Sequence, residues 1–266
     1  MLPLNELLPI IYFGITKKKI KMKNYKLILF TFSIIGLIIT SCDPSVEAPG
    51  SEDESQITYL PKITLEGETN IELDCDASSY TDPGAIAEAG GSQIELFTTT
   101  TGTYFGSSVV DGPDIYSVSY SAFNDDEIPA TGFREIVWPP CNGDFVTSIA
   151  GVYTCSMTRT PGYSTSGIGP ILIKDMGDGV YAISDAIGGW YEHEYGYGPA
   201  YAAIGMTITA NDIPTNDFTH DNVIGVGAFG GAATITSFSV DPVAKTIELT
   251  TEWSFGYVWE ITLTQI

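Results

Sequence analysis

The chain has 266 residues, with 33 acidic and 11 basic side chains, and its formal net charge is −22. Such a surface repels nucleic acids and anionic lipid headgroups, which argues against both as partners. The sequence is rich in Thr, Tyr, Val, Ile, Gly and Asp and lacks long helical periodicity, so it predicts an all-β protein.

Residues 22–42 have the layout of a bacterial secretory signal. A short basic head precedes an apolar run from Leu27 to Ile39, and small residues lead into Cys42. A transmembrane helix is the alternative, but this run of 13 residues is shorter than the roughly 20 that a spanning helix needs. The pattern therefore indicates a lipobox, with Cys42 as the lipid-bearing first residue of the mature protein and Met22 as the true start.

The mature chain is more acidic than the whole. Without residues 1–41, the signal region, it keeps five basic and 32 acidic side chains, a net charge of −27. Residues 42–56 are rich in Pro, Ser, Gly and acids and predict a flexible, lipidated tether. We expect a lipid anchor in the outer membrane, with the folded part facing the cell exterior and the periplasmic face as the open alternative.

Residues 57–141 predict the first folded domain. Tyr116, Val118 and Tyr120 alternate with serines, as in a half-buried strand, and Tyr80–Ala85 has the composition of a turn. Short strands with turns at this spacing are typical of an immunoglobulin-like β-sandwich.

Residues 145–266 predict a second domain after a short linker. Asp175–Gly179 and Asp241–Lys245 have the composition of hairpin turns. We expect an antiparallel meander, closed into a barrel or folded as a sandwich. Its expected strands are 149–160, 171–175, 180–184, 202–210, 233–240, 246–253 and 257–266.

The four cysteines are Cys42, Cys75, Cys141 and Cys155. An exported protein can oxidise its thiols, and a lipidated Cys42 leaves three cysteines, enough for one disulfide and an odd thiol. The alternative is that all three stay unpaired and buried as small apolar side chains.

Four segments of the first domain carry a resemblance to a known family. They resemble the bacterial Ig-like domain of pesticidal crystal proteins and many surface lipoproteins, in which an early strand runs parallel to the last strand. The resemblance implies a Cys75–Cys141 disulfide, with Cys155 free, because the pair would end those two strands. Asp126 and Glu127 stand where the family has a glycine-containing turn. The segments are Ile63–Gly67, Tyr80–Ala85, Gly112–Tyr120 and Arg134–Val137.

The second domain carries a separate resemblance. Its segments resemble the C-terminal domain of two-domain surface lipoproteins, which are similar to accessory lipoproteins encoded beside SusC/SusD-type importers of the outer membrane. The resemblance implies that the protein captures oligosaccharides or peptides with such an importer, and it supplies neither catalytic residues nor a cofactor. The segments are Ile149–Thr154, Ser184–Tyr191, Thr209–Pro214 and Thr251–Tyr257.

An aromatic run between residues 188 and 201 is the candidate ligand-binding site. Exposed Tyr and Trp rings are enriched at binding hot spots, and nearby carboxylates can hydrogen-bond a sugar. The alternative is that these rings fill the core of the domain. The candidate residues are Trp190, Tyr191, Glu192, Glu194, Tyr195, Tyr197 and Tyr201.

Other motifs give no specific chemistry. Gly225–Gly230 matches G-x-G-x-x-G, but a strand rather than a helix is expected after it, which disfavours dinucleotide binding. Glu192 and Glu194 flank His193, and His220 lies in another acidic loop, yet nothing brings them together as a metal site. No G-x-S-x-G elbow is present, and no pair of carboxylates stands out for a glycosidase. We therefore predict a non-enzymatic binding module without metal or cofactor, with a structural assembly subunit and a hydrolase as alternatives.

Overall fold

A computed structural model describes residues 57–266, which fold almost entirely as β-structure and confirm the predicted all-β class. Cys42, the signal region and the tether lie outside the described residues. No helix within the described range is long and apolar enough to cross a bilayer. The strands are β1 Lys62–Leu65, β2 Asn70–Glu72, β3 Ala85–Ala89, β4 Ser92–Gln93, β5 Phe97–Gly102, β6 Asp114–Phe123, β7 Pro129–Trp138, β8 Gly151–Thr160, β9 Ser164–Gly177, β10 Val180–Ile183, β11 Met206–Asp212, β12 Asp217–Thr219, β13 Ile224–Val226, β14 Gly230–Asp241, β15 Thr246–Trp253 and β16 Tyr257–Gln265. Helical turns lie at Trp190–Glu194, Pro199–Tyr201 and Gly227–Phe229.

The N-terminal strands form a two-sheet sandwich. One sheet has the order β1-β3-β4 and the other β2-β7-β6-β5. The alternating pattern of β6 buries Tyr116, Val118 and Tyr120 against Ile63 and Leu65 of the opposite sheet, as expected from period-two strands. This small core is completed by Ile136 and Trp138 of β7.

A buried arginine fastens the two sheets together. Arg134 of β7 pairs with the carboxylate of Asp82, and its remaining N–H groups donate to the Tyr120 hydroxyl and to the carbonyl oxygens of Glu66, Glu68 and Gly84. Asp82 also accepts from the hydroxyl of Tyr120. Asp82 belongs to the Tyr-x-Asp-Pro-Gly-Ala segment, so the structure explains that motif as the acceptor of an otherwise uncompensated buried charge.

The edge of the sandwich has the geometry expected from the first resemblance. β2 runs parallel to β7, with Ile71 opposite Ile136. A disulfide joins Cys75 to Cys141, with a Cα–Cα distance of 4.8 Å, and Cys155 is a buried free thiol. Glu127 takes a φ of 61° at the β6–β7 turn, the left-handed conformation that glycine usually supplies.

The remaining strands form one nine-stranded antiparallel sheet, curled into a half-barrel, with the order β12-β11-β10-β9-β8-β16-β15-β14-β13. Seven strands were expected here, and the extra two, β12 and β13, are three-residue edge strands. The concave face holds the main core. Its largest fully buried side chains are Trp190, Trp259, Tyr153, Phe145, Ile149, Ile171, Ile173 and Ile183.

Side chains connect the two edges of the curled sheet where the backbone ladder stops. Asn216, beside β12, accepts from the Val240 N–H of β14 at 2.7 Å and donates to the Val240 carbonyl at 3.2 Å. Phe218 and Phe238 stack edge to face with centroids 4.8 Å apart. His220 Nδ1 lies 2.9 Å from the Ile235 carbonyl oxygen. The amide of Asn216 therefore takes the place of one rung of a β-ladder between these two edges.

Candidate functional site

The long connection from β10 to β11, residues 184–205, covers the open end of the half-barrel. Its start is organised by Asp185, whose fully buried carboxylate accepts backbone N–H groups of Ile187, Gly189 and Ala203 at 2.9, 3.2 and 3.0 Å. Gly188 has a φ of 66°, and a Cβ there would lie 2.7 Å from the Cys155 sulfur. The glycine therefore lets the connection rest directly on the core.

Trp190 and Tyr191 begin the helical turn and point into the half-barrel. Their exposed fractions are 0% and 9%, so the structure places both in the core, as the core-filling alternative held. Tyr191 contacts Trp253 and Trp259 through edge-to-face pairs, with centroids 6.2 and 6.5 Å apart. A turn with hydrogen bonds from Glu194 N to Gly189 O and from Tyr195 N to Trp190 O directs these two rings inward.

The rings that follow the turn lie on the surface. Tyr195 and Tyr197 are 40% and 51% exposed, and Tyr201 is half-buried beneath Tyr197, with ring centroids 5.3 Å apart. Other hairpins add further exposed rings to them. We define the aromatic surface as the exposed rings Tyr163, Tyr195, Tyr197, Phe229 and Phe255.

The aromatic surface is continuous with the buried rings beneath it. Tyr163 lies 4.8 Å from Trp190, Phe229 lies 4.7 Å from Tyr191, and Phe255 lies 4.5 Å from Trp253, all between ring centroids. Buried rings hold the exposed ones in place at small entropic cost, which is the property of a preorganised binding surface.

Arg159, at the end of β8, lies within this aromatic layer. Its guanidinium carbon is 4.6 Å from the Trp190 ring centroid and 4.8 Å from that of Tyr257. Its Nε is buried without a hydrogen-bond partner, and its guanidinium forms no ion pair among residues 57–266. Burial raises the pKa of the neighbouring Tyr191, and the charge of Arg159 and a hydrogen bond to it oppose that shift. Gly162 closes the β8–β9 hairpin, where a Cβ would lie 2.8 Å from that Nε.

The two candidate glutamates have different surroundings. Glu194 is exposed and accepts hydrogen bonds from the Tyr163 hydroxyl at 3.1 Å and from Thr165 Oγ1 at 3.0 Å. Glu192 is buried and accepts a 2.5 Å hydrogen bond from the hydroxyl of Tyr104, a residue of the N-terminal sandwich. Its other oxygen, Oε2, has no hydrogen-bond partner in the described structure and lies 3.6 Å from His193 Nε2. Glu192 therefore joins the two β-regions, and only Glu194 faces solvent.

Burial perturbs the ionisable groups beneath the surface. Desolvation raises the pKa of Asp185 to about 7, although its three N–H donors act in the opposite direction. Desolvation also raises the pKa of Glu192, while the Tyr104 hydrogen bond and His193 lower it. The same burial, with the charge of Glu192, holds the pKa of Tyr104 well above its ordinary value, so the phenol remains a donor. These groups lie in the interior and support the connection rather than contact a ligand.

A second candidate surface is a polar groove of about 490 Å³ on the outer face of the sheet. Five neighbouring strands present Ser, Thr or Glu in two adjacent cross-strand rows, with Thr158 hydrogen-bonded to Ser164 and Thr250 to Ser237. The first row is Ser166, Ser156, Thr262, Glu248 and Ser239, and the second is Ser164, Thr158, Glu260, Thr250 and Ser237. The groove has hydroxyls and two carboxylates but no ring.

The remaining motifs do not add a site. Gly225–Gly230 spans β13, a helical turn and the start of β14, so no helix N-terminus follows the glycines. His193 and His220 lie in different connections, and no group of three His, Cys, Asp or Glu side chains between residues 57 and 266 is arranged to hold a metal ion. Sequence reasoning missed Arg159, Tyr163, Phe229 and Phe255, because they come from three connections that are distant in sequence from the aromatic run.

Two comparisons with known proteins agree with this description. A family model described only as a C-terminal domain matches residues 142–265. Among solved structures, the chain is similar to the crystal structure of the lipoprotein BT2262 from Bacteroides thetaiotaomicron, with 27% sequence identity and a TM-score of 0.52. That match covers 77% of this chain and 100% of the other. The chain has no significant match among curated proteins.

Proposed function

We propose that this protein is a lipid-anchored, non-catalytic binding module that captures an oligosaccharide or peptide for a SusC/SusD-type importer. The similarity to a Bacteroides lipoprotein and the lipobox pattern ending at Cys42 support the anchor. The aromatic surface is the observation that carries the binding role. Five exposed aromatic rings on a rigid support are typical of a binding site and are not needed in a loop that only contacts solvent.

In this proposal the N-terminal sandwich is an Ig-like spacer. The parallel β2–β7 edge pair and the disulfide beside it support that assignment. The hydrogen bond between Tyr104 and Glu192 would make the spacer a fixed support for the binding connection. The protein would then present the aromatic surface outward from the outer membrane, on the exterior face.

A binding experiment tests the proposal. Full-length protein in detergent micelles is titrated calorimetrically with neutral and acidic oligosaccharides and with mixed peptides, after an initial glycan-array screen. We expect binding that falls about tenfold or more in Tyr197→Ala, because exposed aromatic anchors commonly contribute 1–3 kcal/mol. Phe133→Ala is the matched control, since Phe133 is a similarly exposed ring on the N-terminal sandwich, at 60% against 51% for Tyr197.

The same experiment addresses the structural-subunit alternative. If no glycan or peptide binds, and an importer co-purifies with both the wild type and Tyr197→Ala, the protein would be a subunit that only contacts the importer. Loss of co-purification in Tyr197→Ala but not in Phe133→Ala would make the aromatic surface a protein–protein interface instead.

The hydrolase alternative has one concrete candidate pair. Glu248 and Glu260 share the polar groove on adjacent strands, but both are exposed on an open sheet face rather than enclosed with their substrate. Release of sugar products that disappears in Glu248→Gln or Glu260→Gln would replace the binding proposal by an enzymatic one.

The anchor has its own test. Cells grown with a radioactive fatty acid should label the wild type and leave Cys42→Ala unlabelled. Protease treatment of intact cells should remove residues 57–266 if they face the exterior. Unlabelled wild type would overturn the anchoring proposal without affecting the binding proposal.

A further inference from the structure

The two arginines of the described chain have opposite surroundings. Arg134 is buried and uses all its guanidinium nitrogens in contacts with one carboxylate, one hydroxyl and three carbonyl oxygens. Arg159 is half-buried and forms no ion pair between residues 57 and 266, in a chain with 33 acidic residues, and the polar group beside it is the Tyr191 hydroxyl. A guanidinium covered by rings and left without an anionic partner retains its capacity to bind a planar anion.

The position of Arg159 makes it part of the aromatic surface. Its guanidinium lies between Trp190 and Tyr257, and Tyr163, which leads the next strand, lies 4.8 Å from the same Trp190 ring. The hairpin hydrogen bond from Arg159 N to Tyr163 O, at 3.0 Å, fixes the two residues together. A ligand that stacks on Tyr163 therefore comes next to the guanidinium.

The nearby carboxylates do not neutralise this cation. Glu194 lies on the same surface, but its oxygens accept from Tyr163 and Thr165, and it forms no ion pair with Arg159. Glu192 is buried and is held by Tyr104. Both carboxylates repel an incoming anion, so recognition must come from short-range, directional hydrogen bonds rather than from the long-range field.

We propose that the aromatic surface recognises a hexuronic acid residue of an acidic oligosaccharide, with the exposed rings stacking on sugar rings and Arg159 binding the carboxylate. This inference rests on the proposed binding function and specifies its ligand class. A peptide fits less well, because extended peptides commonly pair with a free strand edge. Here the supporting strands β8, β15 and β16 are paired on both sides.

The test compares ligands that differ only at the carboxyl group. Full-length protein in detergent micelles is titrated with oligogalacturonate, alginate oligomers and unsulfated chondroitin, and with the carboxyl-reduced form of each. We expect at least one hexuronate ligand to bind, and its reduced form to bind about tenfold to a hundredfold more weakly, as for a lost hydrogen-bonded charge. Equal binding of the two forms, or of a sulfated neutral glycan, would overturn the inference.

Variants test whether Arg159 is responsible. Arg159→Gln should lose the preference for the hexuronate over its reduced form, and Arg159→Lys should retain part of it, because the charge remains without the planar fork. Lys174→Gln is the matched control, since its ammonium also lies over a ring, that of Phe105 at 5.3 Å, outside the aromatic surface. Unchanged preference in a folded Arg159→Gln protein would show that Arg159 only packs against its rings.

The ligand comparison uses wild-type protein, so it remains decisive even if Arg159→Gln does not fold. Binding of neutral glycans that depends on Tyr197 would refute the hexuronate inference and leave the proposed function intact. Binding of peptides alone would refute the inference and retain only the peptide form of the proposal. If no ligand binds to the aromatic surface, both the proposed binding function and the hexuronate inference are refuted.

Discussion

The hydrogen bond from Tyr104 to Glu192 allows a quantitative prediction about how the two β-regions stabilise each other. Tyr104→Phe removes one hydroxyl and leaves the Glu192 carboxylate buried without a hydrogen-bond donor, because Oε2 already lacks a partner in residues 57–266. Hydrogen bonds to charged groups contribute about 1.5–3 kcal/mol, and an orphaned buried charge lies at the upper end. We therefore expect a loss of about 3 kcal/mol at pH 8.

The loss should depend on pH. The Tyr104 hydrogen bond lowers the pKa of Glu192, so its removal raises that pKa further above the value in the unfolded chain. A group with a raised pKa in the folded state costs stability as the pH rises through that pKa. At pH 4, where Glu192 is protonated in the variant, only a neutral hydrogen bond is lost, and the expected cost falls to about 1 kcal/mol.

Urea unfolding monitored by tryptophan fluorescence at the two pH values measures these costs. Tyr153→Phe is the control, because it removes a buried hydroxyl that donates to the neutral Ile149 carbonyl at 2.6 Å. That variant should lose about 1 kcal/mol at both pH values. If Tyr104→Phe lost the same amount at pH 4 and pH 8, the claim that Glu192 is a buried carboxylate held by Tyr104 would be refuted.

Three further outcomes are expected. With a folded pKa of about 7, Asp185 should lower the free energy of unfolding of the wild type by ~4 kcal/mol as the pH rises from 4 to 7. Asp185→Asn should abolish this pH dependence, which urea unfolding across that range measures. Asn216→Ala should lower the free energy of unfolding by about 1–3 kcal/mol, because both hydrogen bonds to Val240 are lost. Hydrogen exchange should become faster at the Val240 amide than in the wild type, while the amides of β8 keep their rates. Replacing Cys75 and Cys141 by Ala opens a loop spanning 66 residues, which should cost about 4 kcal/mol by the loop-entropy relation; an unchanged thermal midpoint would contradict it.

The sequence was sufficient for features that depend on local periodicity. The alternation of Tyr116, Val118 and Tyr120 predicts β6 and its buried face, and the structure shows both. The three-residue strands β12 and β13 were not predictable, because so short a segment carries no periodic signal. They exist because Asn216 and the Phe218–Phe238 contact hold the sheet edges together, which is a tertiary effect.

The candidate site was only partly accessible from sequence. The aromatic run was visible, and it supplies Tyr195 and Tyr197 to the surface. The sequence left the direction of Trp190 open between surface and core, and the helical turn after Gly189 directs it inward. Residues from four connections meet at the open end of the half-barrel, and only the pairing of β8, β15 and β16 brings them there.

Arg134 and Arg159 show why tertiary surroundings, rather than residue type, determine such a role. Both arginines lie in β-strands, and neither has a distinguishing local motif. Arg134 is enclosed by acceptors and joins two sheets, and removing it would leave the half-buried Asp82 without its charged partner. Arg159 is enclosed by ring faces, which stabilise the cation yet accept no directional hydrogen bond from its edge. The rings hold the guanidinium in one orientation, so an anion that binds there finds the donor groups already in place. Binding therefore avoids the entropic cost of ordering a flexible arginine side chain.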